Sequence, residues 1–214
     1  MGRNKYPEVT VEKILDVCQR LFLEKGYDNT TIQDIVDELG GLTKGAVYHH
    51  FKSKEEIMDA IGDRMFFQNN PFEKVKKRTD LNGLQKIKEV ILLHQADEQS
   101  VELTKQAIPL LKNPHVLARM IETNRRILCP YWQGLIEEGQ RVGSVTTENA
   151  KEMAELLVLM DIWLIPSVFP ADEEGMKRRY LFISEMFAKM GLPVYDGEIG
   201  EMLEKLPYFK EQNQ

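Results

Sequence analysis

Between residues 40 and 54 the chain carries Lys44, Lys52 and Lys54, His49 and His50, and the hydroxyls of Thr43, Tyr48 and Ser53, with no carboxylate. Such a set of donors suits the recognition of anions, phosphate oxygens above all, rather than the making or breaking of bonds. Thr43, Lys44, Gly45 and Ala46 form a short polar entry of small residues, which lets a backbone come close to a surface. Lys44 can reach a guanine edge or a phosphate, and Tyr48 and His49, one turn on, can donate to phosphates. Gly45 costs about 1 kcal/mol relative to alanine inside a helix, a cost that close backbone approach would explain. Upstream, Thr30 or Thr31 opens a helix whose free N–H groups and hydroxyl can meet a phosphate. Downstream, Lys54 is placed as a phosphate anchor. Each residue also has a plainer reading. Capping alone accounts for Thr30, Thr43 and Ser53, His50 suits packing against a small helical core, and Tyr48 suits half-burial.

Three short helices must position these groups. The first is expected after Thr10, with Ile14, Leu15, Cys18, Leu21 and Phe22 at helical spacing and a stop at Lys25-Gly26. The second opens at Thr30-Thr31-Ile32-Gln33, with capping-box spacing from Thr30 to Gln33. It presents Ile32, Ile35, Val36 and Leu39 on one face and ends at Gly40-Gly41. The third runs from Thr43 to Phe51, burying Ala46 or Val47 and Phe51. A further capping box, Ser53 to Glu56, starts a fourth helix that continues to about Gln68. Two short helices around a glycine turn, the second polar outside and apolar inside, are the layout of a helix-turn-helix that lies in the major groove of DNA.

The remainder reads as helices over 82–97, 98–111, 114–142, 147–168, 172–190 and 196–206, with a break at Asn69-Asn70-Pro71 and no sustained strand pattern. The expected class is all-α, with a domain boundary near 68–72. Net charge is −6, yet residues 1–54 hold eight Lys/Arg and eight Asp/Glu, so the whole excess lies in 55–214 and the local basic face is preserved. Apolar content of 43% and charged content of 29% suit an ordinary globule. The first residues lack the apolar stretch of a signal peptide. Leu156 to Phe169, interrupted by Asp161 and Pro166, is shorter than the roughly 20 residues that span a bilayer, so a cytoplasmic protein without membrane contact is expected. Cys18 and Cys129 are read as buried structural thiols. There is no Ser/His/Asp motif, glycine-rich phosphate loop or HExxH, and His94 and His115 stand far apart. No catalytic residue, metal or cofactor is expected.

The stretch ILDVCQRLFLEKGYDNTTIQDIVDELGGLTKGAVYHHFKSKEEIMDAI, residues 14–61, resembles the DNA-binding domain of the tetracycline-repressor (TetR) family of bacterial regulators. The matching pieces are Leu21, Phe22 and Gly26, Thr30-Thr31-Ile32, Gly41, and Lys44-Gly45-Ala46-Val47-Tyr48-His49-His50-Phe51 followed by Lys54. One departure is an extra residue in Leu39-Gly40-Gly41-Leu42, where the family has a single glycine; either the turn or the second helix must take it up. The resemblance implies an N-terminal helix-turn-helix domain over 8–68 and a larger helical ligand-binding and dimerisation domain over 69–214. It also implies a double-stranded DNA operator, an unidentified small-molecule effector and a homodimer.

In such a protein the last two long helices would pair across a twofold axis, and Leu156, Leu157, Leu159, Met160, Trp163, Leu164, Tyr180, Leu181, Ile183, Met186 and Phe187 supply apolar surface on more than one side. His94, Tyr131, Trp132, Asp161 and Trp163 are the candidates to line a ligand pocket, although ordinary packing also accounts for the aromatic ones. Asp161, set inside LLVLMDIWLIP, needs a partner, across a dimer or on a cationic ligand. The function implied is a regulator, a repressor released from DNA by its ligand. The alternative is a protein-interaction module with a secondary DNA-binding role, which a large open surface groove without an enclosed cavity would favour. A helical enzyme with a vestigial reader has only the chain's size in its support.

Overall fold

A computed structural model describes residues 7–67, 70–195, 197 and 199. Among these residues every element is helical: α1 Pro7–Lys25, α2 Ile32–Leu39, α3 Lys44–His50, α4 Lys54–Phe67, α5 Pro71–Lys76, α6 Gly83–Ala96, α7 Glu98–Ala107, a 3-10 turn Ile108–Lys112, α8 Pro114–Arg141, α9 Ala150–Trp163 and α10 Glu173–Lys189. The expected 196–206 helix lies almost wholly outside the described residues.

Side-chain caps mark most of the helix starts. Asn70 caps α5 with Pro71 in the first turn, Asn82 and Gln85 close a capping box on α6, Asn113 caps α8 ahead of Pro114, and Asp172 caps α10. Three expectations change. The first helix begins at Pro7, before Thr10, which is buried. The polar stretch after residue 70 contains α5, a short helix whose Phe72 and Val75 are buried. The single helix expected over 98–111 is two pieces, because Pro109 cannot donate into an α-helical ladder and the chain tightens to 3-10 geometry.

Two apolar cores result. One joins Ile14, Leu15, Cys18, Leu21 and Phe22 of α1 to Ile35, Val47, Phe51, Ile57 and Ile61, and it is completed by Leu111 and Val116 from far along the chain. The other gathers α5, α6, α8, α9 and α10 around Phe72, Ile87, Trp132, Ile136, Met153, Ile183 and Phe187. α8 packs against α6 and α9 in this bundle and against α4 beside the first core. Where α6 crosses α8, a Cβ on Gly83 would stand 2.2 Å from the Gly139 nitrogen, so only glycine permits the contact. Cys18 is fully buried, whereas Cys129 is only partly so.

Candidate nucleic-acid interface

α2 and α3 are short, and their ends are fixed by side chains. Thr31, not Thr30, caps α2. Its hydroxyl accepts from the Asp34 amide, and its own N–H donates to the Asp34 carboxylate at 2.8 Å. The capping box therefore runs from Thr31 to Asp34, one residue beyond the Thr30–Gln33 spacing. Lys25 at 2.8 Å, together with Thr31, holds the Asp34 carboxyl well below the usual carboxylate range. Thr30 is 1% exposed, and its hydroxyl donates to the carbonyls of Gly26 at 2.8 Å and Leu21 at 3.2 Å. Its side chain is an internal tie between α1 and α2 and cannot reach a phosphate, which corrects the expectation for that residue.

The extra turn residue is absorbed by the turn. α2 stops at Leu39, Gly40 and Gly41 follow with φ of 51° and 113°, and Thr43 already caps α3 by accepting from the Ala46 amide at 3.2 Å. Gly41 lies where a side chain would strain the backbone. On α3, Val47 is fully buried and anchors the helix to the reader core. Helical spacing sets Lys44 with Tyr48, and Gly45 with His49, on the outside; Thr43, Lys44, Gly45, Tyr48 and His49 are all exposed, and Ala46 and His50 are half-buried. The exposed groups thus form one donor-rich surface with no acidic residue among them. Lys52 joins it: its side chain is exposed and, like that of Lys44, makes no ion pair among the described residues. Lys52 was legible in the sequence only as part of an acid-free stretch, because it stands just beyond the helix.

Lys54 departs from its expected role. Its ammonium donates to the carbonyls of Tyr27 at 2.6 Å, Thr30 at 3.0 Å and Asp28 at 3.5 Å, and sits 4.2 Å above the Tyr27 ring. All three donors are spent on the α1–α2 loop, so Lys54 staples that loop to the start of α4 instead of presenting a free charge.

The five pocket candidates do not share one place. Tyr131 and Trp132 both pack on Phe72, with ring centroids at 4.9 and 4.6 Å, and the Tyr131 hydroxyl donates to Glu73 at 3.3 Å. The buried Trp132 Nε1 and the Gln95 Oε1 have no hydrogen-bond partner among the described residues. His94 lies in the last turn of α6, where the surrounding protein depresses its pKa. Asp161 makes no hydrogen bond or ion pair among the described residues. Its side chain is exposed, and partial desolvation by the surrounding helices pushes its carboxyl up towards about 7. Trp163 instead lines a separate open cleft of about 520 Å³ with Pro170, Arg178, Arg179 and Phe182. Arg179 stacks over its ring at 5.4 Å and donates to the Phe169 carbonyl at 2.7 Å.

The apolar faces of the last two helices divide. Leu157, Tyr180, Ile183 and Phe187 belong to the intramolecular core, whereas Leu159, Leu181 and Phe182 are 48%, 65% and 57% exposed. Trp163 and Phe182, 6.1 Å apart, join α9 and α10 into one surface. Phe182 is an addition to the residues expected there. No described helix is long and apolar enough to cross a membrane.

Residues 14–61 match the family model for bacterial regulatory proteins, tetR family. The chain is 26% identical to the HTH-type transcriptional repressor KstR2 of Rhodococcus jostii, over 71% of this chain and 76% of that protein. It is 39% identical to the HTH-type transcriptional regulator TtgR of Pseudomonas putida, but over 56 residues, 26% of each chain. The fold is shared with the SmeT–triclosan complex, at a TM-score of 0.62 and 22% identity, covering 85% of this chain and 91% of that one.

Proposed function

We propose that the chain is a TetR-family DNA-binding transcriptional regulator, a homodimeric repressor that leaves its operator when its helical bundle takes up a small molecule. The observation that carries the reading is the surface of Thr43, Lys44, Gly45, Tyr48, His49 and Lys52, exposed and free of acid, on a helix pinned from behind by Val47. Phosphate contacts from Lys44, Lys52 and Tyr48 set register, and Lys44 at the helix entry also reads bases.

A dimer is supported by Leu159, Leu181 and Phe182, whose joint exposure is costly in an isolated protomer, and a twofold axis there supplies two reading helices for a near-palindromic operator. The open cleft at Trp163 lies on this same face, so a second copy of the chain accounts for it without a foreign protein partner. A small-molecule effector is supported by the partnerless Trp132 Nε1 and Gln95 Oε1, since buried polar atoms ordinarily find a partner. The chemistry is reversible binding, and a cytoplasmic location fits it. Titration of the purified protein against its own upstream intergenic DNA at several salt concentrations tests the reading. A complex that weakens steeply with salt and protects two half-sites is expected; absence of any salt-dependent complex would refute it.

A further inference from the structure

α8 has 28 residues, roughly 42 Å of helix, and belongs to both cores. Its first half is bound to the reader: Val116 is in the reader core, Asn113 pairs with Asp28, Arg119 with Asp59 at 3.4 Å, and Arg126 with Asp63 at 2.7 Å. Its second half is bound to the bundle: Trp132, Leu135 and Ile136 are in that core, and Glu138 accepts from the buried Lys86 ammonium at 2.6 Å. Pro130 falls at the seam between Arg126, the last ion pair to the reader, and Trp132, the first buried bundle residue, in a short overlap where Leu128 and Cys129 already pack on the bundle and Tyr131 still touches Phe66 of α4. It has no N–H for the Arg126 carbonyl, and its ring crowds that carbonyl; sharp bends in helices arise at such positions. The ring is exposed, so packing gives no reason for a proline there.

We propose that α8 is hinged at Pro130, and that this hinge lets the reader take more than one setting against the bundle while both sets of clamps stay closed. The inference rests on the regulator reading above, for which it supplies the mechanical link between effector site and DNA. The reader turns with the first half of α8, the bundle holds the second, and only the seam flexes. The salt bridges of Asp59 and Asp63 move with the reader instead of breaking.

The test is a distance distribution between nitroxide labels on Glu122 and Arg141, two exposed positions that flank the seam. It uses the full chain carrying Cys129→Ser, diluted with unlabelled protein; Cys18 is fully buried and stays unlabelled. A broad distribution is expected, and Pro130→Ala is expected to narrow it towards about 28 Å, the length of an unbroken helix between those positions. A distribution already narrow, and unchanged by Pro130→Ala, overturns the hinge. Upstream DNA is then added. Narrowing of the parent distribution on binding, absent in Pro130→Ala, supports transmission through the seam, whereas binding without narrowing overturns it. A broad distribution in a protein that binds no DNA would remove the regulator reading and leave the hinge standing.

Discussion

Lysines on and beside the reading helix should separate into two kinds when DNA binding is followed against salt. Lys44 and Lys52 are exposed and make no ion pair among the described residues, so a phosphate can engage each charge directly. Each phosphate neutralised on duplex DNA contributes about 0.9 to the slope of log K against log salt, and a dimer altered in both subunits loses two such contacts. Lys44→Ala and Lys52→Ala should therefore each flatten the slope by about 1.8 and leave the thermal midpoint nearly unchanged. Lys54→Ala removes bonds of 2.6 and 3.0 Å to the Tyr27 and Thr30 carbonyls, and the Tyr27 ring contact with them. Hydrogen bonds from a charged donor are worth about 1.5–3 kcal/mol each, and the half-exposed loop carbonyls regain water, so a net loss of about 1–3 kcal/mol is expected. For a chain of this size that is a fall of about 2–12 °C in midpoint. Its affinity for DNA should drop through the loosened α1–α2 loop, with the salt slope retained. Fluorescence anisotropy at four or five salt concentrations, beside a thermal melt, measures both quantities. A Lys54→Ala protein that melts normally but loses the same 1.8 in slope would show that the carbonyl bonds give way to phosphate, and the staple argument would be wrong.

Thr30→Val should lower stability by about 1–3 kcal/mol, since it takes the Thr30 hydroxyl away from the buried Leu21 carbonyl and the half-buried Gly26 carbonyl, and should leave the salt slope untouched; urea unfolding and the same titration check it. Leu181→Asp with Phe182→Ser should convert a sedimenting dimer to a monomer and reduce the operator footprint to weak, single half-site protection; a persistent dimer would move the twofold contact off the α9–α10 face. Asp161, with its folded carboxyl raised from 3.8 towards about 7, binds its proton more tightly in the folded chain. Stability should therefore be fullest at low pH and decline as pH rises through that interval. Asp161→Asn should match the parent protein at pH 4 and melt above it at pH 8, and equal midpoints at both would mean that the carboxylate stays well hydrated.

The reading helix was legible because its signals are local. Thr43 as cap, a buried residue at Ala46 or Val47 and the acid-free outer face all follow from residues within one or two turns of each other, and the packing of α3 selects Val47. Thr30 shows where local reasoning stops. Two adjacent threonines offer the same capping chemistry, and the choice of Thr31 is made by Asp34 and by carbonyls nine and four residues upstream, at Leu21 of α1 and Gly26 just after it, which draw Thr30 inward. Lys54 fails for a related reason, as its partners lie 24 to 27 residues away in a loop whose path no periodicity reveals. In the bundle, apolar content announced burial but could not divide Leu157 and Ile183, which face inward, from Leu159 and Leu181, which do not. The five pocket candidates were chosen by chemical type, and type alone could not tell that Trp163 lines an open cleft while Trp132 is buried in the core.

Leu111 and Val116 close the apolar centre of a reader whose own sequence ends more than forty residues earlier. A graft of the first sixty-odd residues onto another scaffold would carry the recognition surface but leave its apolar core open where these two side chains had sat. Transplanting operator specificity therefore requires a composite piece, in which the 3-10 turn and the opening turns of α8 travel with α1 to α4. In this chain the unit that can be exchanged is defined by shared burial, and it is discontinuous along the polypeptide.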